Sequence, residues 1–417
     1  MNTRFLRKGS GGAVMLVTLA ISALAAAACA GSPGGTGGSH SPVIVGASVS
    51  LSGDFSADGQ NYVRAYKLWA AEQNAHGGLL GHPIKLDLLS DGSDPSQVTT
   101  DYNKLISLDH AQLTLGPFST LLTVPAEKVA ARYGYALVFG SGGGQASFAS
   151  GYHNIFDVSP PVQTDLAPIV SWIASLPPSE RPKTAAYPTS NDPFTEPSVL
   201  WAQQKLSALG IKTVYSKVFP AEVTDYTPIA SAVIAANPQL VIVGSTGVPD
   251  IAPFVSDFAS QHFNPKIFVA TSGPDQTTAF SKVVGAGNTA GIIYPNGWYP
   301  QYKNPMSQAM VKAYVQRYGG TANDVSADVA EAYSAGQVLA DAVAATHSLS
   351  NQKIISYLHS GVRLNTAQGP VQFNKLGENP TLPFLTFQWQ KGTIVQVLPV
   401  NAPGSVKVAF PKPPWGS

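Results

Sequence analysis

Short apolar runs alternate with stretches of helical period along most of the chain, and no other feature constrains the fold as tightly. The runs 43–49, 84–89, 111–115 and 136–139 read as strands of the buried type. Between them, 62–74, 96–108 and 121–133 place apolar residues at helical spacing. A second set follows from Asp165. Helices are expected over 167–176, 197–209, 227–236, 249–261 and 276–284. The strands expected among them are 184–187, 212–219, 240–243, 266–270 and 292–294. Strand, helix, strand at this spacing predicts parallel βαβ units in doubly wound sheets. Two long helices, 305–318 and 326–347, and a β-rich end with strands at 371–373 and 384–389 complete the pattern. Two lobes with several chain crossings account for this order.

In such sheets ligands bind beyond the carboxyl ends of the strands. The loops there are 48–58, 116–120, 140–144, 188–193, 244–249 and 271–276, all rich in Gly, Ser, Thr, Asp or Pro. The stretch Leu115-Gly116-Pro117-Phe118-Ser119-Thr120 is the most informative of them. A Gly-Pro corner sets two hydroxyls at a helix start, where free N–H groups and the positive end of the dipole face outward. Ser119 or Thr120 caps that helix, or holds a ligand carboxylate or carbonyl. Phe118 is a wall of the site or an inter-lobe packing residue. Asp275 binds an ammonium or caps the helix that follows it. Phe194 stacks on a ligand or packs the rim, and Trp298 reads as hinge packing.

The N-terminus carries Arg4, Arg7 and Lys8, an apolar segment over 13–28, and then Cys29, the single cysteine of the chain. A basic head, an apolar core too short for a comfortable membrane span and small residues before a cut site make a secretory signal over 1–28. The Ala26-Ala27-Ala28-Cys29 junction resembles a bacterial lipobox, which implies lipidation of Cys29. The Gly/Ser-rich 29–42 then reads as a flexible tether. Removal of 1–28 takes away three basic and no acidic side chains, leaving 22 basic against 24 acidic. That balance excludes an electrostatic footprint for nucleic acid. About 375 residues remain beyond the tether, enough for two domains with cores of their own.

Enzyme readings find no support. Neither Ser141 nor Ser245 sits in a Gly-x-Ser-x-Gly elbow. The eight histidines form no His-x-x-x-His pair, so no metal ligand cluster, and no cofactor, is expected. The run Gly140-Ser141-Gly142-Gly143-Gly144 has neither the dinucleotide spacing nor a Walker lysine.

Several segments in order resemble the branched-chain-amino-acid (Leu/Ile/Val-binding-like) type of periplasmic solute-binding protein. They are Leu51-Ser52-Gly53, the run from Asn74 to Ile84, Ser90-Asp91-Gly92-Ser93-Asp94-Pro95 and Gly116-Pro117-Phe118-Ser119. Phe219-Pro220, Asp225-Tyr226, Ala235-Ala236-Asn237-Pro238, the run from Tyr314 to Gly319 and Gly369-Pro370-Val371-Gln372-Phe373 continue the series. Together they cover 43–398. The resemblance implies a two-lobed type I periplasmic binding fold with crossings near 157–159, 294–298 and 366–369. Lobe 1 would then be 43–157 with 298–365, lobe 2 would be 158–297 with 366–400, and 401–417 a Pro-rich tail.

The resemblance also implies a monomer that closes on a small ligand and delivers it to the membrane subunits of an ABC importer. A sensory receptor signalling to a membrane partner is the alternative use of the same fold. For ligand contacts it points to Phe118, Ser119, Ser141, Gly142, Phe194 and Asp275, with Ser119 and the Ser141–Gly142 loop holding a carboxylate. The chain departs from the amino-acid pattern in places. Gly143 stands where a Thr is common and Pro193-Phe194 where a Tyr follows an Asp. The acidic position falls in Thr271-Ser272-Gly273-Pro274-Asp275, and a disulfide common near Ser93 and Phe118 is absent. These changes predict a rebuilt, more apolar pocket.

Overall fold

The computed structural model describes residues 41–221 and 223–417. The expected signal segment, the lipidation site Cys29 and nearly all of the tether lie outside the described residues. The first half runs β1 (Val43–Val49), α1 (Ser56–Ala75), β2 (Ile84–Ser90), α2 (Pro95–Ser107), β3 (Leu113–Leu115), α3 (Thr120–Tyr133), β4 (Leu137–Phe139), α4 (Gln145–Ala149) and β5 (Ile155–Asp157). Next come α5 (Ala167–Ser175), β6 (Thr184–Ser190), α6 (Thr195–Ala208), β7 (Lys212–Phe219), α7 (Thr227–Ala236), β8 (Leu240–Val243), α8 (Val248–Ser260), β9 (Ile267–Ala270), α9 (Thr277–Val284) and β10 (Ile292–Asn296). The chain ends with α10 (Pro305–Tyr318), α11 (Ala327–Thr346), α12 (Asn351–Leu358), β11 (Leu364–Asn365), β12 (Pro370–Val371), β13 (Leu385–Gln390) and β14 (Thr393–Leu398).

The first sheet has the order β2-β1-β3-β4-β5 and is parallel throughout. β1 pairs on both sides and is apolar along nearly its whole length, as a central parallel strand covered by helices must be. The second sheet runs β14-β13-β10-β9-β8-β6-β7. It is parallel from β10 to β7, and β13 and β14 add an antiparallel edge, with Tyr294 opposite Phe387. β11 and β12 form a small hairpin.

Local chemistry sets the helix ends. Asp94 caps α2 by accepting from the Ser96 N–H at 2.7 Å, with Pro95 at the first helical position. Asn304 and Pro305 do the same for α10. Helix α1 begins at Ser56, six residues before the expected start, because its first turn is polar and carries no apolar period to betray it. Helix α12 and strand β14 were not foreseen as separate elements.

The buried apolar residues place the crossings. Val158 lies in the core of the first sheet and Leu166 in that of the second; Tyr294 is in the second and Trp298 back in the first. Ala367, Val371 and Phe373 still belong to the first core, whereas Phe387 belongs to the second. The third crossing therefore falls after Phe373, later than the 366–369 expected, because the β11–β12 hairpin packs on the first lobe. Residues 401–417 are docked on the second lobe. Val408 is buried in its core, the Lys412 ammonium donates to Asn264 Oδ1 at 2.8 Å, and the Trp415 indole N–H donates to the Phe263 carbonyl at 2.6 Å.

Candidate functional site

Between the lobes, beyond the carboxyl ends of the parallel strands, lies a cavity of about 80 Å³. The first lobe supplies Phe118, Ser119 and Thr120 from the β3–α3 junction, Ser141 and Gly142 from the loop after β4, and the first turns of α11. The second supplies Asp192 and Phe194 after β6, Thr246 after β8, Asp275 after β9 and Asn296 at the end of β10. All six residues singled out from the sequence line this one space.

Ser119 is the N-cap of α3, yet a weak one. Its hydroxyl accepts from the Leu122 N–H at a long 3.4 Å. The backbone of Ser119 stands at φ 72° and ψ 151°, a region that glycine favours and other residues occupy at a cost of about 1–3 kcal/mol. Such strain persists where the surroundings impose it, and here it falls on a residue that lines the cavity. The neighbouring Thr120 hydroxyl accepts from the Gly144 N–H at 3.0 Å, tying the 140–144 loop to the helix start. Gly142 sits at φ 136°, and a Cβ there would come within 2.4 Å of Thr123 Oγ1, so only glycine brings this backbone to the cavity wall.

Phe118 is 8% exposed, packed edge-on against Phe55 at 5.5 Å and Tyr62 at 5.7 Å, so it is both core and cavity wall. Phe194 is set by Asp192, whose carboxylate accepts from the Phe194 N–H at 2.8 Å and the Thr195 N–H at 3.4 Å. Burial raises the Asp192 carboxyl to about 6, against the pull of those two bonds. Asp275 does not cap α9 through its side chain. Its carboxylate accepts from the Gly273 N–H at 3.0 Å, and Gln276 occupies the cap position without a side-chain bond. Trp298 stays out of this cavity. It is buried in the first core with its indole N–H on Ser307 Oγ at 3.0 Å.

The sequence reading missed the acidic residues of α11. Asp328 and Glu331 line the cavity; in sequence Asp328 looks like the ordinary acidic first turn of a helix after Ser326, and Glu331 like an acid one turn further on. In the structure Ser326 makes no cap, and its hydroxyl donates to Asp328 Oδ2 at 2.9 Å. The Gln276 amide from the second lobe donates to Asp58 Oδ1 at 2.6 Å and to Asp328 Oδ2, both on the first lobe. Asn61 of α1 donates in turn to Gln276 Oε1 and Ser326 Oγ, each at 3.0 Å. This polar bridge spans the cleft. Burial, then the charge of Asp328, pushes the Asp58, Asp275 and Glu331 carboxyls above the usual carboxylate range.

The geometry is that of a two-lobed clamp around a small inter-lobe site. Residues 42–393 match the periplasmic binding protein family. The chain belongs to that family. Its members are ligand carriers that work outside the cytoplasm. The Leu/Ile/Val-binding protein homolog 2 of Brucella abortus (strain 2308) is 23% identical over 358 residues, covering 85% of this chain and 92% of the relative. A solved leucine-binding protein from Thermotoga maritima superposes with a TM-score of 0.75 at 16% identity, over 85% of this chain and 97% of that one. A solute-binding protein of an ABC transporter from R. palustris, solved in complex with benzoate, gives 0.73 at 18% identity, over 89% and 98%. The chain is thus similar to binding proteins of the branched-chain-amino-acid type and shares their type I fold. No described helix is long and apolar enough to cross a membrane.

Proposed function

We propose that this binding protein captures a small ligand in the inter-lobe cavity by closure of the two lobes about their crossings. As a monomer held to the outer face of the membrane by a lipid on Cys29, it would deliver that ligand to the membrane subunits of an ABC importer. The observation that carries the reading is the convergence of Phe118, Ser119, Ser141, Gly142, Phe194 and Asp275 on one inter-lobe cavity. Ser119 and Ser141 would hold a carboxylate with the backbone of Gly142, Phe118 and Phe194 would form apolar walls, and Asp275 would face an ammonium. The relatives support a small carboxylate-bearing ligand, since their names specify branched-chain amino acids and one solved structure holds benzoate.

Titration of the purified chain with amino acids and small carboxylic acids, read by thermal shift and calorimetry, tests the proposal. A ligand at about a hundred times its Kd should add about 2.7 kcal/mol of stability. Ser119→Ala should then weaken binding by about 1.5–3 kcal/mol, the value of a hydrogen bond to a charged group. Ser119→Gly should lose a similar amount of affinity while raising the stability of the free protein, because glycine relieves the positive φ. Unchanged affinity in both variants would reduce Ser119 to a helix cap.

A further inference from the structure

The cavity is lopsided in charge. Five carboxyl side chains line it, Asp165, Asp192, Asp275, Asp328 and Glu331, and no Lys, Arg or His does. None of the five makes an ion pair among the described residues. Asp192 is engaged in holding the start of α6. Asp165 accepts from Ser198 and from the Leu166 N–H through Oδ1 alone, while its Oδ2, in a side chain 1% exposed, has no hydrogen-bond partner. The other three stand close enough to oppose one another's ionisation, with Asp58 a fourth carboxyl behind Gln276. Neutral amides and hydroxyls, from Gln276, Asn61 and Ser326, are what meets Asp328.

Buried carboxylates are ordinarily paired with a cation. A cavity that gathers so many and supplies no counter-charge is completed by one that arrives with the ligand. The described residues include no group of three or more acidic, His or Cys side chains arranged to hold a metal ion, so the missing charge is that of an organic cation.

We propose that the ligand is a basic amino acid, its cationic groups facing Asp275, Asp328 and Glu331. This rests on the reading of the cleft as a solute site, and it excludes the simple anions and neutral aliphatic side chains that the names of the relatives would suggest. A zwitterion of zero net charge brings one cation to three carboxyls; a basic amino acid brings two, which leaves fewer of them to be protonated or unpaired.

Calorimetry and thermal shift with lysine, ornithine and arginine, set against leucine and benzoate, test this on the full chain. The basic amino acids should bind at least roughly tenfold tighter than leucine and should not be displaced by benzoate. Glu331→Gln should weaken lysine binding by about tenfold or more. Leucine or benzoate binding as tightly as lysine overturns the assignment and leaves the solute-capture reading standing. Lysine affinity unchanged in both Glu331→Gln and Asp328→Asn overturns it as well. If none of the five compounds shifts the melting transition at about 10 mM, both readings fall.

Discussion

Glu127→Gln should gain stability on the parent protein as pH rises, by roughly 4 kcal/mol between about pH 4 and pH 8. Glu127 lies on α3, fully buried, and neither of its carboxylate oxygens has a hydrogen-bond partner. The Ser147 hydroxyl beside it spends its proton on the Gly142 carbonyl at 2.8 Å. Burial therefore pushes the carboxyl up to about 8. The sign follows from proton counting. In the unfolded chain the group loses its proton near pH 4, while in the folded chain it keeps it to about 8. Across that window the folded state binds the extra proton, so stability falls by about 1.4 kcal/mol per pH unit as pH rises. The amide variant has no such slope, and whatever its packing costs is the same at both ends. Urea unfolding of both proteins at the two pH values reads the difference. Parallel pH dependence in parent and variant would mean that Glu127 is solvated or paired in solution.

Gly336→Ala should destabilise the chain by about 2 kcal/mol, although alanine is the better helix former by about 1 kcal/mol. Gly336 is in the middle of α11, where a Cβ would meet Trp69 Cδ2 at 2.4 Å and Cγ at 2.6 Å. The obstacle is a rigid ring only 2% exposed, in the seam between α1 and α11, and it has no free end to swing away. Either the helices separate or the indole leaves its rotamer, and overpacking of this kind costs about 1–3 kcal/mol. Trp69→Ala alone should cost about 3–5 kcal/mol by opening a cavity. In the Trp69→Ala background, Gly336→Ala should cost nothing or help, because the clash is gone and the propensity gain remains. Chemical denaturation of the four proteins in a double-mutant cycle measures this coupling. Additive costs would show that Gly336 is not held small by Trp69.

How much of this could be read from residues alone varied with the physical signal. Parallel strands are buried on both faces, so 43–49 and 240–243 stood out as largely apolar runs, and each proved to be a strand over those same residues. The start of α10 was marked by Asn304 and Pro305, a cap and a proline whose roles depend on neighbours only a few residues away. The beginning of α1 was not, since Ser56 to Gln60 lacks both a side-chain cap and a periodic apolar face. The loop residues of the candidate site were visible for a similar local reason. Ser119, Ser141, Gly142 and Asp275 each follow a legible strand, and in this architecture strand ends share one edge.

Asp328 and Glu331, which line the cavity, and Asp58, which meets it through Gln276, were invisible in sequence because nothing in their neighbourhoods distinguishes them from ordinary acids near a helix start. Their meaning depends on what lies across the cleft, Gln276 above all, which is 52 residues from Asp328 and 218 from Asp58 along the chain. The local periodicities and turn chemistry of the sequence determined the class of fold, the order of its elements and the loops that rim the cleft, since those signals span a few residues each. The electrostatic character of the cavity was decided by tertiary structure alone. Charge acts through space, and only the packing of α1, α9 and α11 against one another brings those carboxyls together around a space that holds no cationic side chain.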